Sequence, residues 1–265
     1  MQNRYVGDVG DFGKFGLLRF LSGMTDSSPE PKLRIGLVWC LHHDEKHTTA
    51  NKLKISADGR HISYLRRTSN NDRSEYRNCD VDLWEGLRDL VYRDGRCVHC
   101  AESANFLPGD TIYYSDQLHL FKAMPRDLMK QVRESWVKGA LKAMSGVDIS
   151  MFDPDNGIAP EEKKYTKDGA KYVYLSDLKL FWSERQSLVV YHHMAQGKTA
   201  RAQTLEVADK LRAEFETEPV ALLFSRGTSR VFFVIPQPDE KGAVIEDRIE
   251  RMLATGWNRH FEKVE

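Results

Sequence analysis

One stretch restricts the fold of this chain more than any other: Val147-Asp-Ile-Ser-Met-Phe-Asp-Pro-Asp-Asn-Gly157. Residues Asp148 to Phe152 fit a buried strand. They run without a break into two carboxylates, Asp153 and Asp155, with Pro154 between them and Asn156-Gly157 closing a turn. In open α/β sheets ligands collect at the carboxyl ends of strands, so acids delivered to that edge are candidates for chemistry. Acids also serve as ordinary turn residues, and both readings stay open at this point.

Other short apolar runs fit the same kind of sheet. Leu33 to Leu41 is apolar enough to lie centrally among parallel strands, and Thr111 to Tyr114 and Ser187 to Tyr191 read as further strands. Between them lie segments with helical spacing, over 82–92, 126–144 and 199–215. The runs 219–224 and 230–235 flank a Gly-Thr-Ser turn and read as an antiparallel hairpin, followed by a last helix over 243–255. This order predicts an α/β fold: a Rossmann-like mixed sheet, mostly parallel, with a C-terminal antiparallel hairpin and helices on both faces. The 265 residues suit a single α/β domain over 1–265, with a polar and helical excursion over 48–105 inserted after the first core strand.

Charge narrows the partners. Lys plus Arg and Asp plus Glu number 39 each, so no global basic field recruits nucleic acid. A local basic face remains open, and Arg60, Arg66, Arg67, Arg73 and Arg77 are the best local candidates for phosphate contact. No apolar run is long enough to span a bilayer, and Met1 to Tyr5 lacks the apolar core of a signal peptide, so the expectation is a cytoplasmic protein with no membrane partner. The four cysteines do not resemble a disulfide framework. Cys97-Val-His-Cys100 has no second Cys-x-x-Cys to complete a zinc site and reads as a buried strand carrying two reduced cysteines.

The N-terminal segment Tyr5 to Lys14 places glycines at 7, 10 and 13 among acids, ahead of a helix expected from Phe15 to Leu21. Asp11 can cap that helix, and Lys14 can reach for a negative charge. Glycine at every third position suggests a loop that cradles a ligand's polar groups, against the plainer reading of a flexible lead-in turn. The Gly-Lys-Ser/Thr ending of a Walker loop is absent. After the first strand comes His42-His43-Asp44-Glu45-Lys46-His47, which offers divalent-metal ligands or a solvated polar loop. Asp116 ends the second strand, where an acid can accept bonds from a ribose, and His192-His193 ends the strand that begins at Ser187. Asp153, Asp155, Asn156, His192 and His193 together form the expected catalytic edge.

The plan of elements and two short motifs resemble the class I methyltransferases, and within them the large-subunit ribosomal RNA adenine-N6 methyltransferases. Tyr5, Asp11 and Lys14 match that family's N-terminal motif, and Phe152-Asp-Pro-Asp155 matches the start of its Asp-Pro-Pro-Tyr motif. The resemblance implies a nucleic-acid substrate and S-adenosylmethionine as donor, with Asp153 orienting the target amine and Asn156 bonding the base. It also implies that Tyr5, Gly10, Asp11, Lys14 and Asp116 hold the donor. Two features depart from the family: Asp155 and Asn156 stand where it carries a second proline and an aromatic ring, and Leu41 leads into His42-His43 rather than a glycine-rich turn. Two other readings therefore remain. One is a metal-dependent nuclease using Asp153 and Asp155 with a divalent metal, and with Asp177-Leu-Lys179 or His192 and His193 supplying the remaining groups. The other is a methyltransferase-like interaction module without catalysis.

Overall fold

A computed structural model describes residues 1–42, 60–66, 74–195 and 197–265. In chain order its strands are β1 (Ile35–Val38), β2 (Ile112–Tyr114), β3 (Ile149–Phe152), β4 (Gly157–Ile158), β5 (Tyr172–Val173), β6 (Ser187–His193), β7 (Val220–Arg226), β8 (Thr228–Ile235) and β9 (Phe261–Val264). The α-helices are α1 (Val9–Leu21), α2 (Ser74–Arg77), α3 (Val81–Asp89), α4 (Val98–Ser103), α5 (Arg126–Ala143), α6 (Leu175–Ser183), α7 (Ala200–Phe215) and α8 (Glu240–Leu253).

Seven strands form one sheet in the order β2-β1-β3-β6-β8-β7-β9, and β4 and β5 pair separately. β2, β1, β3 and β6 are parallel, β8 is antiparallel to both β6 and β7, and β9 is antiparallel to β7. The α/β expectation holds, including the C-terminal antiparallel hairpin, β7 and β8, to which β9 adds a further edge strand. From β1 the chain moves outward to β2, and from β3 it moves the other way to β6. The carboxyl ends of β1 and β3 therefore flank the point where strand order reverses, the crevice in which such sheets bind ligands.

Alternation along the strands builds two cores. Ile35, Leu37, Ile149, Met151, Val189, Phe232 and Val234 face one side with residues of α1, α3 and α8. Val38, Phe152, Leu188, Val190, Val231, Phe233 and Ile235 face the other with residues of α5, α6 and α7. Period-two alternation is what a sheet covered on both faces requires, and both sets being apolar explains why these strands read as continuous hydrophobic runs.

Several boundaries differ from the sequence reading. Helix α1 starts at Val9 rather than Phe15, because Asp8 is its cap: Asp8 Oδ1 accepts from Gly10 N at 2.7 Å and Asp11 N at 3.1 Å. Asp11 sits inside the first turn and accepts from Gly7 N at 2.7 Å. Cys97 to Cys100 is not a buried strand. Cys97 caps α4 and is disulfide-bonded to Cys100, and the buried Val98 and Ala101 stand three apart, the spacing of a helix face. Strand β9 follows α8, the last element expected from the sequence; only the two ends of this four-residue strand are buried, too short a pattern to mark it. No helix among the described residues is long and apolar enough to cross a membrane.

Of the stretch 48–105, residues 48–59 and 67–73 lie outside the described residues; the described part is a 3-10 helix, Arg60–Leu65, followed by α2, α3 and α4. Arg67 and Arg73 fall in the part not described, and Arg77 pairs with Glu85 at 3.0 Å.

Candidate functional site

Asp153 leaves β3 with its N–H bonded to the carbonyl of Val38 at 3.0 Å, which fixes it at the crevice between β1 and β3. Its side chain meets Lys14, from the second turn of α1. Lys14 Nζ lies 2.7 Å from Asp153 Oδ2 and 2.6 Å from Asp11 Oδ1. All three groups are buried: Lys14 is 2% exposed, Asp11 4% and Asp153 5%. The Trp39 ring centre lies 4.3 Å from the ammonium and adds a cation–π contact in place of water. Two carboxylates thus share one ammonium, leaving one unit of negative charge in excess when both are ionised.

The electrostatics follow from that count. Burial, opposed by Lys14, pushes Asp11 up to about 6. Burial also disfavours the Lys14 ammonium, but Asp11 and Asp153 outweigh it and hold the lysine above its ordinary value. Lys14 is therefore a fixed cation at neutral pH. Its bond occupies one oxygen of Asp153; among the described residues no hydrogen bond reaches Oδ1, and Asp153 lines the pocket.

Asp155 has a different task. Its Oδ1 lies 3.0 Å from the α-amino group of Met1, while Oδ2 accepts from Gln2 Nε2 at 2.7 Å and lies 2.6 Å from His42 Nε2. Burial works against its ionisation, yet the Met1 ammonium and His42 hold its carboxyl well below the ordinary range. Asp155 ties the N-terminal segment to the loop after β1. Among the described residues no group of three or more His, Cys, Asp or Glu side chains is placed to hold a metal ion. His43, Asp44, Glu45 and His47 lie outside the described residues.

His192 and His193 separate because neighbours on a strand point to opposite faces. His193 pairs across the strands with Arg230, and His192 pairs with Val231, which faces the other core. His192 Nδ1 accepts the Ile158 N–H at 3.0 Å, and burial pushes its imidazole down to about 4. His193 reaches the pocket, with Nδ1 3.3 Å from the Tyr191 hydroxyl; burial and Arg230 depress it too.

The pocket around Asp153 has a volume of about 300 Å³, in the range of small-molecule sites. Of the residues singled out from sequence, Tyr5, Gly10, Asp11, Lys14, Asp153, Asp155, Asn156 and His193 line it. His192 does not. Asp116 does not either: it borders a separate depression beyond β2 with Tyr114 and Trp136, and its carbonyl accepts from Trp136 Nε1 at 2.7 Å. Asp177 and Lys179 are remote from Asp153 in role as well. Asp177 is buried between Arg133 and Lys164, each at 2.6 Å, and Lys179 pairs with Glu214 at 2.5 Å.

The glycine spacing has an origin the sequence reading missed. A Cβ on Gly10 would stand 1.6 Å from Arg230 Nη1, on Gly13 2.8 Å from the Phe224 ring and on Gly16 2.1 Å from the Trp257 ring. The repeat of three is a face of α1 packed closely against large side chains, and Gly10 on that face also lines the pocket. Only Gly7, with φ of 80°, needs glycine for its backbone. Asp8, Tyr191, Thr228 and Arg230 also line the pocket and were not foreseen; the one available signal was an arginine opening an otherwise apolar strand.

No family model matches this chain, and no curated protein matches it. Among solved structures it is similar to protein LPL1258 from Legionella pneumophila str. Philadelphia 1, of family model DUF519, at 13% identity and a TM-score of 0.45, covering 97% of this chain and 95% of that one.

Proposed function

We propose that the chain is an S-adenosylmethionine-dependent methyltransferase acting on an exocyclic amino group of a nucleic-acid base. The observation that carries this reading is Asp153: a buried carboxylate at the reversal point of the sheet, lining the pocket, with Oδ2 held by Lys14 and no hydrogen bond to Oδ1 among the described residues. A base amine has an N–H to donate, and a carboxylate held at one oxygen is a preorganised acceptor for it at the other. Lys14 keeps that carboxylate oriented. Asn156 lines the same pocket and offers an amide for a base edge, while Tyr5 and Tyr191 bring aromatic rings there in place of the ring absent at position 156.

The donor suits the charge of the site. Bound S-adenosylmethionine would supply an electrophilic methyl group on a sulfonium cation, and the excess negative charge of Asp11, Lys14 and Asp153 favours a cationic ligand. Tyr5, Gly10, Asp11 and Lys14 are the residues that would hold it. The mixed sheet, parallel from β2 to β6 with the antiparallel β8 beyond, accords with the same family of folds.

Titration calorimetry with S-adenosylmethionine tests the donor, and transfer of a labelled methyl group to RNA or DNA oligonucleotides tests the reaction. Binding without transfer to any amino-bearing base would leave a non-catalytic module; no binding at millimolar donor would remove the proposal.

A further inference from the structure

We propose that Arg230 is the anion-binding residue of this pocket, and that its ligand is the phosphate of the nucleotide whose base lies at Asp153. That identification of the anion rests on reading the pocket as a base-modifying site.

Arg230 is 3% exposed and lines the pocket. Its hydrogen bonding is far from complete. Nη2 donates to Thr228 Oγ1 at 2.7 Å, Nη1 is 3.6 Å from Asp8 Oδ1, and Nε is buried with no partner among the described residues. A guanidinium has five N–H donors and cannot shed its charge, so a buried one with a single hydrogen bond is costly unless something else completes it. Asp8 does not: its Oδ1 already accepts two backbone N–H groups at the start of α1.

The position of Arg230 is built rather than incidental. Gly10 lies beneath the guanidinium, where any Cβ would collide with Nη1. Pairing in register with His193 puts both side chains on the pocket face, and Tyr191, two residues before His193, shares that face. The planar fork of arginine matches the oxygens of a phosphate.

The other cation of the pocket is already committed. Lys14 is bonded to two carboxylates and leaves that end with excess negative charge, so an oxyanion is drawn to Arg230 and not to Lys14. The pocket thus carries both an acceptor, at Asp153, and a donor fork, at Arg230. An amino-bearing nucleotide offers a partner to each, an N–H donor on its base and an oxyanion on its phosphate.

Calorimetric titration with adenosine, adenosine 5′-monophosphate and S-adenosylhomocysteine tests this on the wild type and on Arg230→Gln. The wild type is expected to prefer the monophosphate over the nucleoside by roughly tenfold, the size of one charge-assisted hydrogen-bonded contact. Arg230→Gln should abolish that preference while leaving S-adenosylhomocysteine affinity unchanged. Gly10→Ala, which displaces the guanidinium without removing it, should lose the preference as well and guards against misfolding of the first variant. Absence of a phosphate preference in the wild type overturns the proposal. So does a persisting preference in Arg230→Gln together with weakened S-adenosylhomocysteine, which would assign the arginine to the donor's carboxylate. The preference is measured without any methyl donor, so failure of S-adenosylmethionine to bind would count against the methyltransferase reading alone.

Discussion

Lys14 Nζ stands 2.7 Å from Asp153 Oδ2, joining α1 to the end of β3 across 139 residues of sequence. Replacing Lys14 by methionine would leave Asp11 and Asp153 buried without a counter-charge. Breaking a buried pair in this way costs about 3–5 kcal/mol, and urea unfolding should show a loss of that size. Adding Asp11→Asn to Lys14→Met removes one of the stranded carboxylates and should restore part of it. Asp153→Asn is a milder change for the fold, since Lys14 keeps Asp11. It should weaken binding of the cationic donor, since the excess negative charge is gone, and lose roughly 10²–10⁴ in methyl transfer at saturating donor. An unchanged urea midpoint for Lys14→Met would mean that the three groups are not a coupled buried unit.

The three glycines of α1 should respond differently to alanine. At Gly10 the obstacles are the far end of the Arg230 side chain and the Asp8 carboxylate at 2.9 Å, both side-chain ends that can shift, so stability should change by no more than about 1 kcal/mol while anion binding is lost. At Gly16 the obstacle is the buried Trp257 ring, which has nowhere to go; overpacking there should cost about 1–3 kcal/mol. Thermal melting of both variants separates the cases, and equal stabilities would contradict this account of the spacing.

The sheet was legible because its strands are buried on both faces and interrupted by helix-period segments. The place of Asp153 at the sheet edge was legible because the apolar run 149–152 leads straight into it, although acids there also serve as turn residues. The two helix starts were harder: Asp8 and Asp11 are both plausible caps, and only the side-chain bonds of Asp8 decide between them. His192 and His193 could have been separated from sequence, since strand alternation forbids both from facing one pocket. Asp116 could not, because the direction taken after β2 depends on its packing against Trp136. Arg230 was hidden by distance: nothing local tells that residue 230 comes to lie on Gly10.

Asp177 gives a check on the order Asp153, Asp155, Asp177, Lys179 that suggested metal-dependent cleavage. Arg133 donates to it from Nε at 3.0 Å and Nη2 at 2.6 Å, and Lys164 is 2.6 Å away. Asp177→Ala would strand two buried cations and should destabilise by about 3–5 kcal/mol, with ligand affinity at the Asp153 pocket unaltered in the folded fraction. A variant of full stability that had lost a magnesium-dependent cleavage activity would instead place Asp177 in chemistry.

Stability should fall as pH drops below about 6.5. Two imidazoles, the half-buried His192 and the buried His260, accept hydrogen bonds at Nδ1, His192 from Ile158 N at 3.0 Å and His260 from Arg226 Nε at 3.0 Å, and so must be neutral there. Burial pushes both down to about 4 from an ordinary 6.5. Between those values the unfolded chain binds protons that the folded protein refuses, so their contribution is complete above 6.5 and is lost as pH falls toward 4. Asp11 acts in the opposite sense. Its raised value of about 6 makes the folded state take up a proton where the unfolded state, at an ordinary 3.8, does not, which favours folding as pH falls through that window. His193, depressed as well, adds to the same loss, and three imidazoles against one carboxyl leave a net loss. Urea midpoints at pH 7 and pH 5 should therefore differ, lower at pH 5. His192→Gln or His260→Gln should each reduce the difference, and Asp11→Asn should enlarge it. A midpoint that does not move between those two pH values would show that these imidazoles titrate as freely as in the unfolded chain.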